Sequence, residues 1–193
     1  MKVPIKHLED LNISKYLIST EPLDSPLAAS GRITRDSVML NPLRISREFE
    51  LQFKLTVNTF VGALDVPRNI LRLTNTLNDK GSHGDRILLL MVQKNLTVTI
   101  SSSIGDDDDY EESTATSISF NVPVNVTVLQ IKDGNTYKRQ LFLDGTKELE
   151  VVNPDPQEFE DVTLYLSDPH HRPVDGNVQD FLLSTGKHDN VEN

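Results

Sequence analysis

A strict alternation of apolar and polar residues between positions 49 and 57 constrains the fold more than any other feature of the sequence. Phe49, Leu51, Phe53, Leu55 and Val57 alternate with Glu, Gln, Lys and Thr. Because successive side chains of a β-strand point to opposite faces, this period of two predicts a strand with one buried face and one face in water. Such strands are typical of antiparallel sheets, which pack a single face on the core.

Further strand-like segments follow at short intervals. Residues 86–92 form a nearly continuous apolar run, which is typical of a central strand covered on both faces. Other strands are predicted at 70–73, 96–100, 118–122, 124–131, 138–143, 148–152, 162–166 and 180–183. One strand about every 10 to 15 residues, with turn residues between, predicts an all-β antiparallel sandwich or jelly roll.

Three regions are expected along the chain. They are a proline-rich arm over residues 1–45, a β-sandwich domain over residues 46–183 and a flexible polar tail over residues 184–193. The arm carries apolar residues that must cover an edge of their own sheet or dock on a neighbouring molecule, because exposed edges template pairing with another chain. These candidate interface residues are Tyr16, Leu17, Ile18 and Leu23.

Composition excludes several classes of function. The formal net charge of −10 argues against a nucleic-acid partner, because phosphate binding needs a basic surface. The absence of cysteine excludes thiol catalysis, zinc–thiolate sites and iron–sulfur clusters. No apolar run approaches the roughly 20 residues needed to cross a bilayer, so we expect no membrane span. Residues 1–7 lack the apolar segment of a signal peptide, so none is expected there.

Four elements, taken in order, resemble a concanavalin A-like jelly-roll module of secreted matrix and adhesive proteins from simple invertebrates. They are residues 46–51, Gly84-Asp85-Arg86, Leu143-Asp144-Gly145 and the segment 153–176, which contains Asp168-Pro169. The resemblance covers about residues 45–183 and implies a secreted, galectin-like antiparallel sandwich. A narrower resemblance, to silintaphin-type proteins of silica-spicule axial filaments, implies a mineralising enzyme such as silicatein as partner.

The chain departs from that module at two places. Where the module usually carries a Trp, after its Pro-x-Asn turn, this chain has Val126-Thr127. Where the module carries aromatic residues after Asp-Pro, this chain has His170-His171. The resemblance therefore implies that an aromatic-lined sugar site is lost.

An acidic run is the most unusual local feature. A dense set of carboxylates attracts cations, a basic partner or a mineral surface. The spacing does not match an EF-hand, however, and adjacent like charges repel, so we expect a solvated, mobile loop. The residues concerned are Asp106, Asp107, Asp108, Asp109, Glu111 and Glu112.

Asp168 and Asp175 form a candidate Ca²⁺ site, because hard oxygen ligands on turns suit that ion. The alternative is that Asp168 initiates a turn through a hydrogen bond from the backbone to its side chain. Three N-x-[ST] sequons are candidates for glycosylation, at Asn12, Asn95 and Asn125.

No sequence motif of catalysis is present: there is no G-x-S-x-G elbow, no H-E-x-x-H and no P-loop. We therefore expect a non-catalytic structural or interaction module, and the resemblance implies that it belongs to an extracellular matrix or a mineral-associated assembly. Its expected partners are another matrix protein, a mineral surface or a glycan, and no cofactor beyond weakly bound Ca²⁺ is expected. The alternative is a lectin-like carbohydrate-binding domain, because jelly rolls often carry sugar sites.

Overall fold

The computed structural model describes residues 29–60, 66–76, 78–79 and 81–186. These residues form two six-stranded antiparallel sheets, and no helix capable of crossing a membrane occurs among them. The strands are β1 (Ala29–Arg32), β2 (Val38–Ile45), β3 (Phe49–Thr59), β4 (Arg68–Thr74), β5 (Leu88–Val92), β6 (Thr97–Ile104), β7 (Asp107–Ser117), β8 (Val124–Asp133), β9 (Thr136–Leu143), β10 (Thr146–Asn153), β11 (Phe159–Tyr165) and β12 (Asp175–Thr185).

The strand order confirms the predicted all-β sandwich. Sheet A has the order β1-β12-β3-β8-β9-β10, and sheet B has the order β2-β11-β4-β5-β6-β7. The chain passes repeatedly from one sheet to the other, as in a jelly roll, and the apolar faces of both sheets enclose one hydrophobic core.

Strand β3 confirms the alternation read from the sequence. Its residues from Phe49 to Val57 are buried and partly buried in turn, and it lies between β12 and β8 in sheet A. The rings of Phe53 and Phe181 stack with centroids 6.3 Å apart. Burial of each such ring contributes about 1.5–3 kcal/mol to stability.

The predicted central strand at 86–92 is also confirmed, since every residue of β5 is buried. The Asp144-Gly145 turn joins β9 to β10, and both residues have positive φ angles, 47° and 78°. Asp-Gly is a preferred pair for such a hairpin turn, because both central residues must adopt this conformation.

Three sequence expectations differ from the structure. Residues 29–45, assigned to the arm, form β1 and β2 within the two sheets, so the sandwich begins before residue 46. Strand β2 tolerates its Pro42 because it lies at the edge of sheet B. Residues 118–122 form a turn with Asn121 at φ 59°, and the strand lies before it, at β7. The predicted tail begins inside β12, which runs to Thr185.

A buried arginine links the two sheets. Arg139 of β9 donates hydrogen bonds to the carbonyl of Ile87 at 2.9 Å, to Ser102 of β6 and to Gln130 of β8. Its guanidinium also lies 5.4 Å from the centroid of the Phe49 ring. Burial lowers the pKa of Arg139 to about 9. The acceptors are all neutral, so the charge is stabilised by dipoles and by the ring face.

Candidate functional site

A cleft of about 200 Å³ opens where β3 ends and where β4 and β12 begin. Two of the side chains that line the cleft belong to sheet A and one belongs to sheet B. The loop between β11 and β12 provides the other two. We call this site the junction cleft, and its described lining residues are Thr59, Arg68, Arg172, Pro173 and Asp175.

The loop that carries Arg172 and Pro173 is fixed to the buried residue Asn69 of β4. The backbone N of Asn69 donates to the carbonyl of Arg172 at 2.8 Å, and the N of Val174 donates to the carbonyl of Asn69 at 3.0 Å. The side-chain Oδ1 of Asn69 accepts from the N of Asp168 at 3.1 Å. One residue of β4 therefore sets the position of this wall of the cleft.

Asp175 also lines the cleft, and both of its carboxylate oxygens accept hydrogen bonds. Thr59 Oγ1 donates to Oδ2 at 2.9 Å, and Arg32 Nη2 donates to Oδ1 at 3.4 Å. The side chain of Asp175 is about one third exposed. It therefore remains accessible to a ligand from the cleft side.

The two arginines of the junction cleft differ in exposure. Arg68 is buried, and its guanidinium lies 5.3 Å from the centroid of the Phe60 ring. Arg172 is exposed, and no ion pair or side-chain hydrogen bond involves its guanidinium in the part of the chain described. The cleft thus combines guanidinium donors, a hydroxyl and a carboxylate with the apolar ring of Pro173. This set suits a ligand rich in hydroxyl groups.

A second polar cluster lies on the outer face of sheet B, around Arg72 and Arg86. Arg72 Nη1 donates to Asp168 Oδ2 at 3.1 Å, and Arg72 Nε donates to the carbonyl of Asp85 at 3.1 Å. The carbonyl of Asp79 accepts from Arg72 Nη2 and from Arg86 Nε, each at 3.0 Å. The two arginines thus attach the β4–β5 loop to the sheet.

One row of residues across the outer face of sheet B is buried. Arg72, Leu89 and Ser101 are opposite one another in β4, β5 and β6, whereas Leu71 and Leu73 point into the core. Both Leu89 and Ser101 are fully buried. An open glycan groove is therefore absent from this row of residues.

The acidic run is an edge strand, so the predicted loop is wrong. Residues from Asp107 onward form β7, at one end of sheet B. Arg86 Nη1 pairs with Asp109 and lies 3.4 Å from Glu111. Asp107 Oδ1 accepts from the backbone N of Asp109 at 2.9 Å. Of the other candidates, Asp106 is exposed just before β7, Asp108 lies 3.0 Å from His83 Nδ1, and Glu112 accepts from Tyr110.

Opposite charges from outside the run explain why these residues form a strand. Arg86 offsets the repulsion among the carboxylates that lie nearest to it. Burial, followed by the hydrogen bond to Glu112, raises the pKa of Tyr110 above its ordinary range.

Asp168 and Asp175 have separate sets of partners. Asp168 is buried, and its Oδ1 accepts from the backbone N of His170 at 3.0 Å and of His171 at 2.8 Å. These bonds confirm the turn that the sequence offered as the alternative to a metal site. No group of three or more metal-ligating side chains occurs among the described residues.

The pKa of Asp168 lies well below its ordinary value. Burial alone raises it, but hydrogen bonds from the His171 ring and backbone, together with the bond from Arg72, outweigh burial. The carboxylate is therefore held ionised mainly by the hydrogen bonds that it accepts from His171 and Arg72.

Two of the three sequons lie in the described part of the chain. Asn95 is exposed in the turn between β5 and β6, and its Oδ1 accepts from Thr97 Oγ1 at 2.8 Å. Asn125 lies in β8, where its amide donates to Asp144 Oδ1 at 2.9 Å. Asn12 and the predicted arm residues Tyr16, Leu17, Ile18 and Leu23 lie outside the described residues.

Sequence reasoning missed most of the junction cleft. Of its described lining residues, it singled out Asp175 alone, and for a different role. Arg68 and Arg172 are far apart in the sequence, and no motif links them. Only the pairing of β4 with the β11–β12 loop brings them together.

Comparison with known proteins shows similarity at the level of fold. No family model matches the chain, and no curated protein matches it. The chain is similar in structure to the CBM40 domain of a Ruminococcus gnavus sialidase bound to α2,3-sialyllactose, with TM-score 0.54 and 11% identity, over 82% of this chain and 95% of that one. It is also similar to a heptameric pentraxin from Limulus polyphemus, with TM-score 0.53 and 10% identity, over 76% of this chain and 67% of that one.

A Trypanosoma rangeli sialidase is similar as well, with TM-score 0.55 and 12% identity, over 84% of this chain but 26% of the enzyme. The structures that resemble this chain thus include both a binding module and part of an enzyme. These similarities show that the chain has a jelly-roll sandwich fold. They give no support to the silintaphin-type resemblance or to silicatein as a partner.

Proposed function

We propose that this domain is a non-catalytic, lectin-like module that binds a glycan in the junction cleft. The observation that carries the proposal is the convergence of Thr59, Arg172 and Asp175, three polar side chains of different chemistry, on one accessible cleft beside Pro173. Sugars are bound in proteins by such a combination of donors, acceptors and a small apolar surface.

The fold similarity supports this proposal over a purely structural role. The CBM40 domain matches this chain over 95% of its own length and binds a sialylated sugar. The match therefore extends over a complete sugar-binding module. For that reason we prefer the lectin-like domain, which was the alternative drawn from the sequence, to the structural module.

The composition of the cleft supports a role without catalysis. Retaining and inverting glycosidases typically use two carboxyl groups that flank the scissile bond. Among the described residues that line the junction cleft, Asp175 is the only acid. Thr59 and Arg32 donate hydrogen bonds to its two oxygens. These bonds fix the carboxylate in one position, which suits it for holding a ligand in place.

A glycan array followed by calorimetry tests the proposal. We expect the protein to bind at least one class of glycan, and Thr59→Val together with Asp175→Asn to weaken that binding about tenfold or more. The matched controls are Thr136→Val and Asp133→Asn, which change exposed residues at the β8–β9 hairpin. Failure of the wild-type protein to bind any glycan would refute the proposal.

The second candidate is an interaction module of a matrix or mineral-associated assembly, as the sequence resemblance implied. The observation that favours it is strand β7, an exposed acidic strand at the edge of sheet B. Edge strands pair readily with another chain. If this reading holds, proline substitution at Ala115 abolishes association with a basic partner in pull-down experiments and leaves glycan binding unchanged.

A further inference from the structure

We infer that the junction cleft selects a sugar that carries a carboxylate group. This inference rests on the proposed function, and it adds the chemical class of the ligand. Two of the described lining residues are arginines, and a third arginine, Arg32, contacts Asp175 at the same place. In a chain with a formal net charge of −10, the described residues place three guanidinium groups and one carboxylate at this site.

Arg172 is the group best placed to bind the carboxylate. Its side chain is exposed and has no ion-pair partner among the described residues, whereas its backbone carbonyl is held by Asn69 at 2.8 Å. A guanidinium group offers two parallel N–H donors that match the two oxygens of a carboxylate. The fixed backbone reduces the conformational freedom that is lost on binding.

Arg68 provides positive potential from the buried side of the cleft. It is 4% exposed, and the Phe60 ring lies against its guanidinium. A charge in such a position is less screened by water than a charge at the surface.

The carboxylate of Asp175 does not prevent binding of an anion. One of its oxygens accepts a hydrogen bond from Arg32 and the other from Thr59, so these donors offset part of its negative charge. Its remaining lone pairs are available to ligand hydroxyl groups. A sugar acid presents both functions, an anion for Arg172 and hydroxyls for Asp175.

The size of the cleft indicates how much of the ligand it holds. Its volume of about 200 Å³ is smaller than the roughly 300–1,000 Å³ of sites that enclose drug-sized ligands. We therefore assign to it one acidic sugar residue at the end of a glycan.

The experiment compares neutral and acidic sugars that otherwise match. Binding of 3′-sialyllactose is measured against lactose, and galacturonic acid against galactose, by NMR titration and calorimetry. We expect the acidic member of at least one pair to bind about tenfold or more tightly, and its affinity to fall as salt rises. A sulfated lactose serves as an anion that lacks a carboxylate, and we expect it to bind more weakly than the best acidic sugar.

Substitutions at Arg172 identify the residue responsible. Arg172→Gln is expected to remove the preference for the acidic sugar. Arg172→Lys keeps the positive charge but loses the paired N–H donors of the guanidinium, so we expect it to retain a smaller preference for the acidic sugar. Arg44→Gln is the matched control, because Arg44 is an exposed arginine of edge strand β2 paired with Glu158. Circular dichroism of each variant confirms that it is folded.

The outcomes separate this inference from the proposed function. If neutral and acidic sugars bind equally, or sulfated lactose binds best, the carboxylate preference is wrong and the glycan-binding proposal stands. If Arg172→Gln keeps the full preference, the assignment to this cleft is wrong. If no sugar binds at all, both are wrong.

Discussion

Arg72 Nη1 lies 3.1 Å from the Asp168 carboxylate, and both side chains are 1% exposed. Arg72 belongs to β4 on sheet B, and Asp168 follows β11 in the loop that goes on to form one wall of the junction cleft. The ion pair therefore connects the sheet to the segment that carries Arg172. In a buried pair of this kind, loss of either partner is costly because the other charge stays buried.

Asp168→Asn is expected to destabilise the protein by about 3 kcal/mol, the lower end for breaking a buried pair. The loss is limited because Asp79 Oδ1 still lies 3.4 Å from Arg72. Urea unfolding followed by circular dichroism measures the change. Asp180→Asn is the control, since Asp180 is exposed in its pair with Lys54 and its loss should cost less than about 1 kcal/mol. Equal effects of the two substitutions would contradict the prediction.

The lowered pKa of Asp168 also predicts that the protein loses stability in acid. The folded protein holds the pKa of Asp168 below its ordinary value of 3.8, so the stabilisation is fully present above that value and is lost as the pH falls through the folded-state pKa. In urea unfolding, the difference between the wild type and Asp168→Asn should be constant from about pH 7 to 5 and should narrow below about pH 4. A difference that grows as the pH falls would have the wrong sign.

Arg139→Lys is expected to cost about 1–3 kcal/mol, because a single ammonium group cannot reach all the acceptors that the guanidinium reaches on Ile87, Ser102 and Gln130. The matched control is Arg44→Lys, at an exposed ion pair with Glu158, which should change stability by less than about 1 kcal/mol. Thermal unfolding of the two variants, side by side, measures the difference.

Gly176→Ala is expected to disrupt the pairing of β12 with β3. A Cβ atom at this position would lie 2.3 Å from the backbone oxygen of Thr56, which cannot move without shifting the strand. We expect a loss of stability of about 1–3 kcal/mol or more, as for other overpacked sites. Asn177→Ala, at the next residue, already has a Cβ and should be far milder. Hydrogen exchange along β12 checks whether the strand has loosened.

Calcium is expected to bind the acidic strand β7 only weakly. Asp109 and Glu111 face Arg86, and Asp108 faces His83, so these carboxylates already have partners. Calorimetry should find a dissociation constant on the order of millimolar or weaker, the range of loosely organised sites. A micromolar constant that disappears when residues 106–109 are changed to Asn would overturn this view.

The strand pattern was predictable because it arises from neighbours in the sequence. The alternation from Phe49 to Val57 gave β3, the apolar run gave β5, and Asp144-Gly145 gave the hairpin turn. The acidic run was misread for a physical reason. Repulsion among its own carboxylates favours a loop, but Arg86, from a different part of the chain, offsets that repulsion within the sheet.

The sequence by itself determined the class of fold, because strand periodicity and turn residues are local properties of the chain. Only the tertiary structure decided where a ligand can bind. Arg72 meets Asp168 across 96 positions, and the junction cleft exists only because β3, β4 and the segment before β12 converge. Pairing between distant strands depends on the whole set of sheet contacts, so the same arginines read in sequence order carry no sign of the site that they form.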